Sequence, residues 1–196
     1  MKSALTNERQ QRVLDTALEL FTDAGYFNTS VHDIQRAADV SIGSIYHHFG
    51  NKEGIAKALY DDRLDRTAEA VSRIMEENKG LYQRGRAFVD YLFDLAERSP
   101  AAMHYMLCAR HREFMPHEKA VCSSRPFELI QEMVAEAMTQ GEIRQMEPPI
   151  ASALIFGGAL RLIHLRLEGV FDGLLPDCAA EVWQCAWRSV SIRGGS

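Results

Sequence analysis

The chain is 196 residues long, 46% hydrophobic and 25% charged, as in a globular protein of one large or two small domains. Its 27 acidic residues outweigh 22 basic ones for a net charge of −5, which argues against a broad polyanion-binding or membrane-surface role. No apolar run is expected to reach the roughly 20 residues that span a bilayer, and Met1-Lys2-Ser3-Ala4 precedes no apolar signal core. Four scattered cysteines, Cys108, Cys122, Cys178 and Cys185, form no disulfide framework. A cytoplasmic protein with reduced thiols is expected.

Proline is sparse, no stretch alternates apolar and polar residues for long, and the whole chain reads as helix. A first helix is predicted over about 7–24, with Val13, Ala17, Phe21 and Ala24 on one face and Gly25 as its stop. The next two helices are short. Ser30 followed by Asp33 is a capping-box start, in which hydroxyl and carboxylate satisfy backbone donors reciprocally. Val31, Ile34, Ala37 and Ala38 then recur at helical spacing. That helix should stop near Asp39, where a tight turn asks for left-handed backbone that Asp tolerates better than most residues. Ser41 caps the second short helix, anchored by Ile45 and Phe49, four apart. Its start is small and polar, the layout of a helix whose N-terminal end reaches base edges in a DNA major groove. Asn51 caps the following helix, with Glu53 in its first turn at the positive end of the dipole.

From Phe21-x-x-x-Gly25-Tyr26 to Lys52-Glu53 the chain reads Thr-Ser-Val-x-Asp-Ile…Ala-x-Val-Ser-x-Gly-Ser-Ile-Tyr-x-His-Phe-x-Asn-Lys-Glu. This pattern resembles the helix-turn-helix of the TetR family of bacterial transcriptional regulators. Two positions depart from the commonest form: Asp39 stands where Gly is usual, and Ile42 where a polar or basic residue often reads a base. The resemblance implies that Gly43, Ser44 and His47, with Ile42 beside them, face base edges. It implies that Thr29, Ser41, Tyr46, His48 and Lys52 hold phosphates, which set register while base contacts carry sequence information.

The resemblance also implies an all-α fold of about nine helices. An N-terminal three-helix head in residues 1–51 would be joined by a long helix to a ligand-binding and dimerisation bundle in residues 52–196. The implied partners are a palindromic double-stranded operator, a small-molecule effector and a second copy of the chain. The implied setting is the bacterial cytoplasm, at the nucleoid, with no membrane, cofactor or metal.

Over residues 1–57 six basic side chains (Lys2, Arg9, Arg12, Arg36, Lys52 and Lys57) meet seven acidic ones. A nucleic-acid module usually carries a net basic footprint. Positive potential here must come from placement and from the helix N-termini at Ser30, Ser41 and Asn51. Few phosphate contacts and a shallow salt dependence are expected.

A long helix then carries Ile55, Leu59, Leu64, Ala68, Val71 and Met75 and ends near Gly80. Further helices are predicted over 84–98, after Ser99 with Pro100 in first position, over 124–140, from Pro148 to near Gly169, and from Pro176 through Val190. The last two are candidates for a dimer interface, through Ala153, Gly157, Leu160 and His164 in one and Trp183, Trp187 and Val190 in the other. Interior glycines cost about 1 kcal/mol each in a helix and usually permit a close backbone approach. Two such helices from each of two chains would make a four-helix interface, the manner in which TetR-like proteins dimerise. A two-fold dimer matches half-sites about 34–36 Å apart. An ordinary intrachain core is the competing reading.

The middle helices are dense in soft and aromatic residues. Phe88, Phe93, Met103, Leu107, Phe127, Met133 and Phe156 are candidate walls of an effector pocket, with His104, Cys108, Arg110, His111 and His164 as polar candidates. Plain core packing competes here too. His104, Cys108 and His111 fall at i, i+4 and i+7, which one helix would place on one face, with His117 and Cys122 nearby. Zinc or copper accepts such ligands, but no fourth ligand is visible.

The leading expectation is therefore a dimeric, ligand-responsive DNA-binding repressor. The alternatives are a DNA-bound adaptor for a protein partner, and a metal- or thiol-sensing regulator using His104, Cys108 and His111. An enzyme built on Cys108 with a neighbouring histidine lacks a third activating group, a phosphate loop and an acidic pair.

Overall fold

The computed structural model describes residues 2–109, 111–116 and 123–192. Among them the chain forms ten helices and no strand: α1 (Lys2–Asp23), α2 (Val31–Ala38), α3 (Ile42–Phe49), α4 (Lys52–Glu77), α5 (Gly80–Arg98), α6 (Pro100–Cys108), α7 (His111–Phe114), α8 (Arg125–Thr139), α9 (Pro148–Leu167) and α10 (Leu175–Val190). The helix beyond the nine expected is the single turn α7. It arises because the helix begun at Pro100 ends at Cys108 instead of running on through His111. Packing divides the chain into two units: residues 1–63 with 101–119, and residues 64–100 with 120–196.

The first unit is built on α1, whose Val13, Leu14, Ala17, Leu18 and Phe21 are buried at helical spacing. Ile34 and Ala38 of α2 and Ile45 of α3 complete the small core. Ala24 and Ala37, expected on the apolar faces, are exposed. Ala24 lies beyond the last turn of α1, and Ala37 lies on the solvent side of α2. This unit is larger than the head expected in residues 1–51. Ile55, Ala56, Leu59 and Tyr60 of α4 are buried in it. The Tyr105 hydroxyl of α6 donates to the Ala56 carbonyl at 3.1 Å, and Phe114 of α7 stacks on Tyr26 at 4.1 Å between ring centres.

The second unit is a bundle of α5, α8, α9 and α10. Its centre is Trp183, 1% exposed, whose six-membered ring lies against Gly85 of α5. A Cβ at residue 85 would stand 2.2 Å from the indole, so the absent side chain at Gly85 is the room the indole occupies. Glu97 ties three elements together. Its carboxylate takes two bonds from the Arg166 guanidinium, at 2.9 and 3.1 Å, and one from the Leu175 amide at 3.1 Å. Those bonds with Arg166 hold the Glu97 carboxyl below the usual carboxylate range. At the other end, Glu142 accepts from the Leu81 amide at 2.8 Å and so satisfies a free donor at the start of α5.

Contrary to the expectation that no run is long enough, α9 is 20 residues with a mean hydropathy of 1.5 over its most apolar window, enough by length and composition to cross a membrane. It carries Arg161 and Arg166 and packs on α5, α8 and α10.

Candidate DNA-binding head

The helix-turn-helix is closed by side chains near in sequence. Ser30 and Asp33 form the full capping box: the Ser30 amide donates to the Asp33 carboxylate at 2.9 Å, and the Asp33 amide to the Ser30 hydroxyl at 3.2 Å. The Ser30 hydroxyl and amide, followed by Arg36, hold the Asp33 carboxyl down at about 2. Asp39 ends α2 in left-handed backbone, φ 51° and ψ 53°, with its amide donating to the Gln35 carbonyl. The Gln35 side-chain amide returns to the Val40 carbonyl at 3.0 Å and locks the turn. Ser41 then caps α3, its hydroxyl accepting from the Ser44 amide at 3.2 Å.

With Ile45 buried beneath it, α3 turns Ser41, Gly43, Tyr46 and His47 outward, while Ile42, Ser44 and His48 are half-buried. Tyr46 is 49% exposed. A Cβ at Gly43 would have nothing within 4 Å, so the protein's own packing does not require glycine there. His48 is held from α1 at its Nδ1, 2.9 Å from the Gln10 side-chain nitrogen.

Two residues expected to hold phosphates are engaged within the head. Thr29 is 3% exposed, and its hydroxyl donates to the carbonyls of Leu20 at 3.2 Å and Gly25 at 3.0 Å, closing the end of α1. Lys52 donates to the carbonyls of Tyr26 and Thr29, both at 3.0 Å. Burial, then Glu53, pushes the Tyr26 phenol up to about 12, so it stays protonated. Sequence reasoning missed Gln10 and Tyr26 as positioning residues. Tyr26 lay within the recognised pattern, whereas Gln10 carried no signal, since its partner is 38 residues away.

The candidate pocket residues fall in both units. In the first, Met103 is core, and His104, Leu107, Cys108 and His111 are half-buried. In the second, Phe88, Phe93, Met133 and Phe156 are core, with Phe88 edge-on to Phe156 at 5.3 Å. Phe127 and His164 are half-buried, His164 bonded through Nδ1 to the Leu160 carbonyl at 2.7 Å. A groove of about 480 Å3 in this unit is lined instead by Asp65, Ala68, Glu69, Ser72, Arg73, Glu76, Arg125 and Leu129, mostly charged or polar residues.

The expectation that one helix carries His104, Cys108 and His111 on one face is corrected. His111 sits on α7, past the end of the helix that carries His104 and Cys108. Among the described residues no three His, Cys, Asp or Glu side chains converge on a metal position. His111 is enclosed by the rings of Tyr60, Tyr105 and Phe114 at 4.8, 4.8 and 5.7 Å, and burial pulls its pKa down to about 4. Arg110, His117 and Cys122 lie outside the described residues.

The expected dimer face is corrected in part. Trp183 and Val190, at 1% and 0% exposure, are covered by their own chain and present nothing to a second copy. Ala153 is exposed, and Gly157, Leu160, His164 and Trp187 are half-buried. The exposed side of α9 is completed by Ile150, Leu154 and Gly158, which sequence reading left out of the interface.

The family described as bacterial regulatory proteins, tetR family, matches residues 13–59, the helix-turn-helix and its flanks. The HTH-type transcriptional regulator BetI of Escherichia coli O17:K52:H18 is 30% identical over 141 residues, 69% of this chain and 71% of that protein. Against the first curated relatives the chain spans less, 31%, 48% and 42% of their lengths. Among solved structures, a TetR family transcription regulator from Marinobacter aquaeolei VT8 shares the fold with a TM-score of 0.80 at 20% identity, over 98% of this chain and 100% of that one. The transcriptional regulator FadR from Bacillus subtilis, solved in complex with stearoyl-CoA, has a TM-score of 0.76 at 18% identity, over 90% of this chain and 96% of that one. A capped α2, a left-handed turn at Asp39 and a small-residue opening to α3, in a chain that matches BetI over most of its length, make this protein a member of the TetR family of bacterial transcriptional regulators.

Proposed function

We propose that the chain is a repressor that binds a palindromic operator as a homodimer and is released by a small hydrophobic or amphipathic effector. The observation that carries this reading is the outer face of α3, where Gly43 meets nothing of its own protein and Tyr46 is exposed. A glycine that internal packing does not need, at the first turn of an outward helix, suits close backbone approach to a base edge. Gly43, Ser44 and His47 are the proposed base-facing residues, with Ile42 at their edge. Ser41, Tyr46 and His48 are the proposed phosphate contacts, His48 oriented by Gln10. Thr29 and Lys52 act by holding the corner from which α3 projects.

The exposed apolar side of α9 supports the dimer: Ile150, Ala153, Leu154 and Gly158 are exposed along it, with Gly157 half-buried beside them. The effector class is suggested by the FadR neighbour, which holds an amphipathic acyl-CoA. Release works by population shift, the effector binding the DNA-incompetent arrangement more tightly than the competent one. In functional terms residues 1–51 read DNA and residues 52–196 sense and dimerise, in the bacterial cytoplasm at the nucleoid.

The test is selection of bound sequences from random duplex DNA. The expected product is a two-fold symmetric consensus whose half-sites lie about one helical turn apart, with enrichment lost on Tyr46→Ala. A pool left unenriched at low ionic strength would overturn the reading.

A further inference from the structure

We propose that two ion pairs select the second copy of the chain: Arg161 of one copy meets Glu181 of the other, and Glu181 of the first meets Arg161 of the second. The inference rests on the dimer proposed above and names what the exposed side of α9 recognises. That side is apolar, with Ile150, Ala153, Leu154 and Gly158 exposed, except for Arg161, which is exposed among them. The other arginine of α9, Arg166, is held by Glu97. Among the described residues Arg161 forms no ion pair, and neither does Glu181 on the exposed side of α10. A guanidinium closed into an apolar interface without a counter-charge is strongly unfavourable, so a partner that covers this face must bring a carboxylate.

Glu97 fixes the heights of the two residues. It grips the Arg166 side chain and the Leu175 amide together, so these points stand level where α9 and α10 meet. The helices run antiparallel: Ile143, ahead of α9, bridges Ser191, beyond the end of α10. Arg161 lies about 7.5 Å back along α9 from Arg166, and Glu181 about 9 Å on along α10 from Leu175, at the helical rise of about 1.5 Å per residue. The two therefore stand within about one turn of the same height. A two-fold axis running along the helix pair preserves height and lays each α9 over the other copy's α10. Residues of equal height then meet, and each contact occurs twice. Asp177, the other exposed acid of α10, is about one turn farther off and sits in the first turn, where the helix dipole already favours it.

The test is analytical ultracentrifugation of the full-length protein without DNA. Arg161→Glu and Glu181→Arg each set like charges against one another at both contacts. Each is expected to raise the dimer dissociation constant about tenfold or more. An equimolar mixture of the two variants rebuilds both ion pairs in a mixed dimer and is expected to associate within about threefold of the parent. Both substitutions in one chain are expected to restore the homodimer in the same way. The two positions are exposed, and unchanged circular dichroism establishes that each variant is folded. Single variants that dimerise like the parent, or a mixture that associates no better than its components, would overturn the pairing while leaving the α9 dimer standing. A monomeric parent would overturn the dimer and the pairing with it.

Discussion

The ammonium of Lys52 stands 4.2 Å from the centre of the Tyr26 ring while donating to the Tyr26 carbonyl at 3.0 Å. The same nitrogen reaches the Thr29 carbonyl, so one side chain fastens the start of α4 to the corner between α1 and α2. Charge-assisted hydrogen bonds from a half-buried cation, with a ring beneath it, contribute about 2 kcal/mol together. Lys52→Met is therefore expected to lower the stability of the head by about that amount in urea denaturation. The slope of operator affinity against salt separates this role from a phosphate contact. It should stay unchanged, whereas loss of a phosphate contact would flatten it by about 0.9.

His111 makes stability depend on acid. Burial pulls its folded pKa down to about 4 from the ordinary 6.5. Above pH 6.5 neither the folded nor the unfolded chain protonates it, and its contribution is complete. Between about 6.5 and 4 only the unfolded chain takes up the proton, so stability falls as pH falls; below about 4 no further loss occurs. His111→Phe keeps ring contacts with Tyr60, Tyr105 and Phe114 and removes the titration. Urea midpoints compared at pH 7.5 and pH 5, as approximate settings, should fall less in the variant than in the parent.

Gly85 and Trp183 test the bundle. Gly85→Ala places a methyl group where the indole lies, and forced repacking of this kind costs about 1–3 kcal/mol. The expected outcome is a lower thermal midpoint with a changed near-ultraviolet dichroism from the displaced tryptophan.

Leu154 tests assembly. It is 44% exposed on α9, so Leu154→Arg should leave the monomer folded and shift the protein from dimer to monomer in analytical ultracentrifugation. Trp183→Ala is the contrast: it empties a buried site and should lower stability by about 3–5 kcal/mol. A Leu154→Arg variant that still sediments as a dimer would refute this face as the interface.

The head was legible in sequence because its defining contacts are local. Ser30 with Asp33, Asp39 with Gln35 and Ser41 with Ser44 are separated by three or four residues, and each is a capping or turn rule that a sequence states directly. What failed to be legible was which partner covers an apolar or polar group. Trp183 reads as an interface residue until Gly85, 98 positions earlier, is seen to make room for it. Lys52 reads as a phosphate ligand until two backbone carbonyls claim it. Helical spacing likewise fitted His104, Cys108 and His111 to one face, but the helix ends at Cys108. The attachment of α6 and α7 to the first unit rests on Tyr105 with Ala56 and Phe114 with Tyr26, pairings that periodicity does not encode.

Glu97 has a reach that its position conceals. By gripping Arg166 near the end of α9 and the Leu175 amide at the start of α10, it fixes how far one helix is rotated about its axis against the next. A surface composed from both helices inherits that registration. Glu97→Gln, which weakens its bonds to Arg166 and Leu175 and leaves the exposed apolar side of α9 unchanged, should therefore shift the proposed dimer toward monomer in analytical ultracentrifugation.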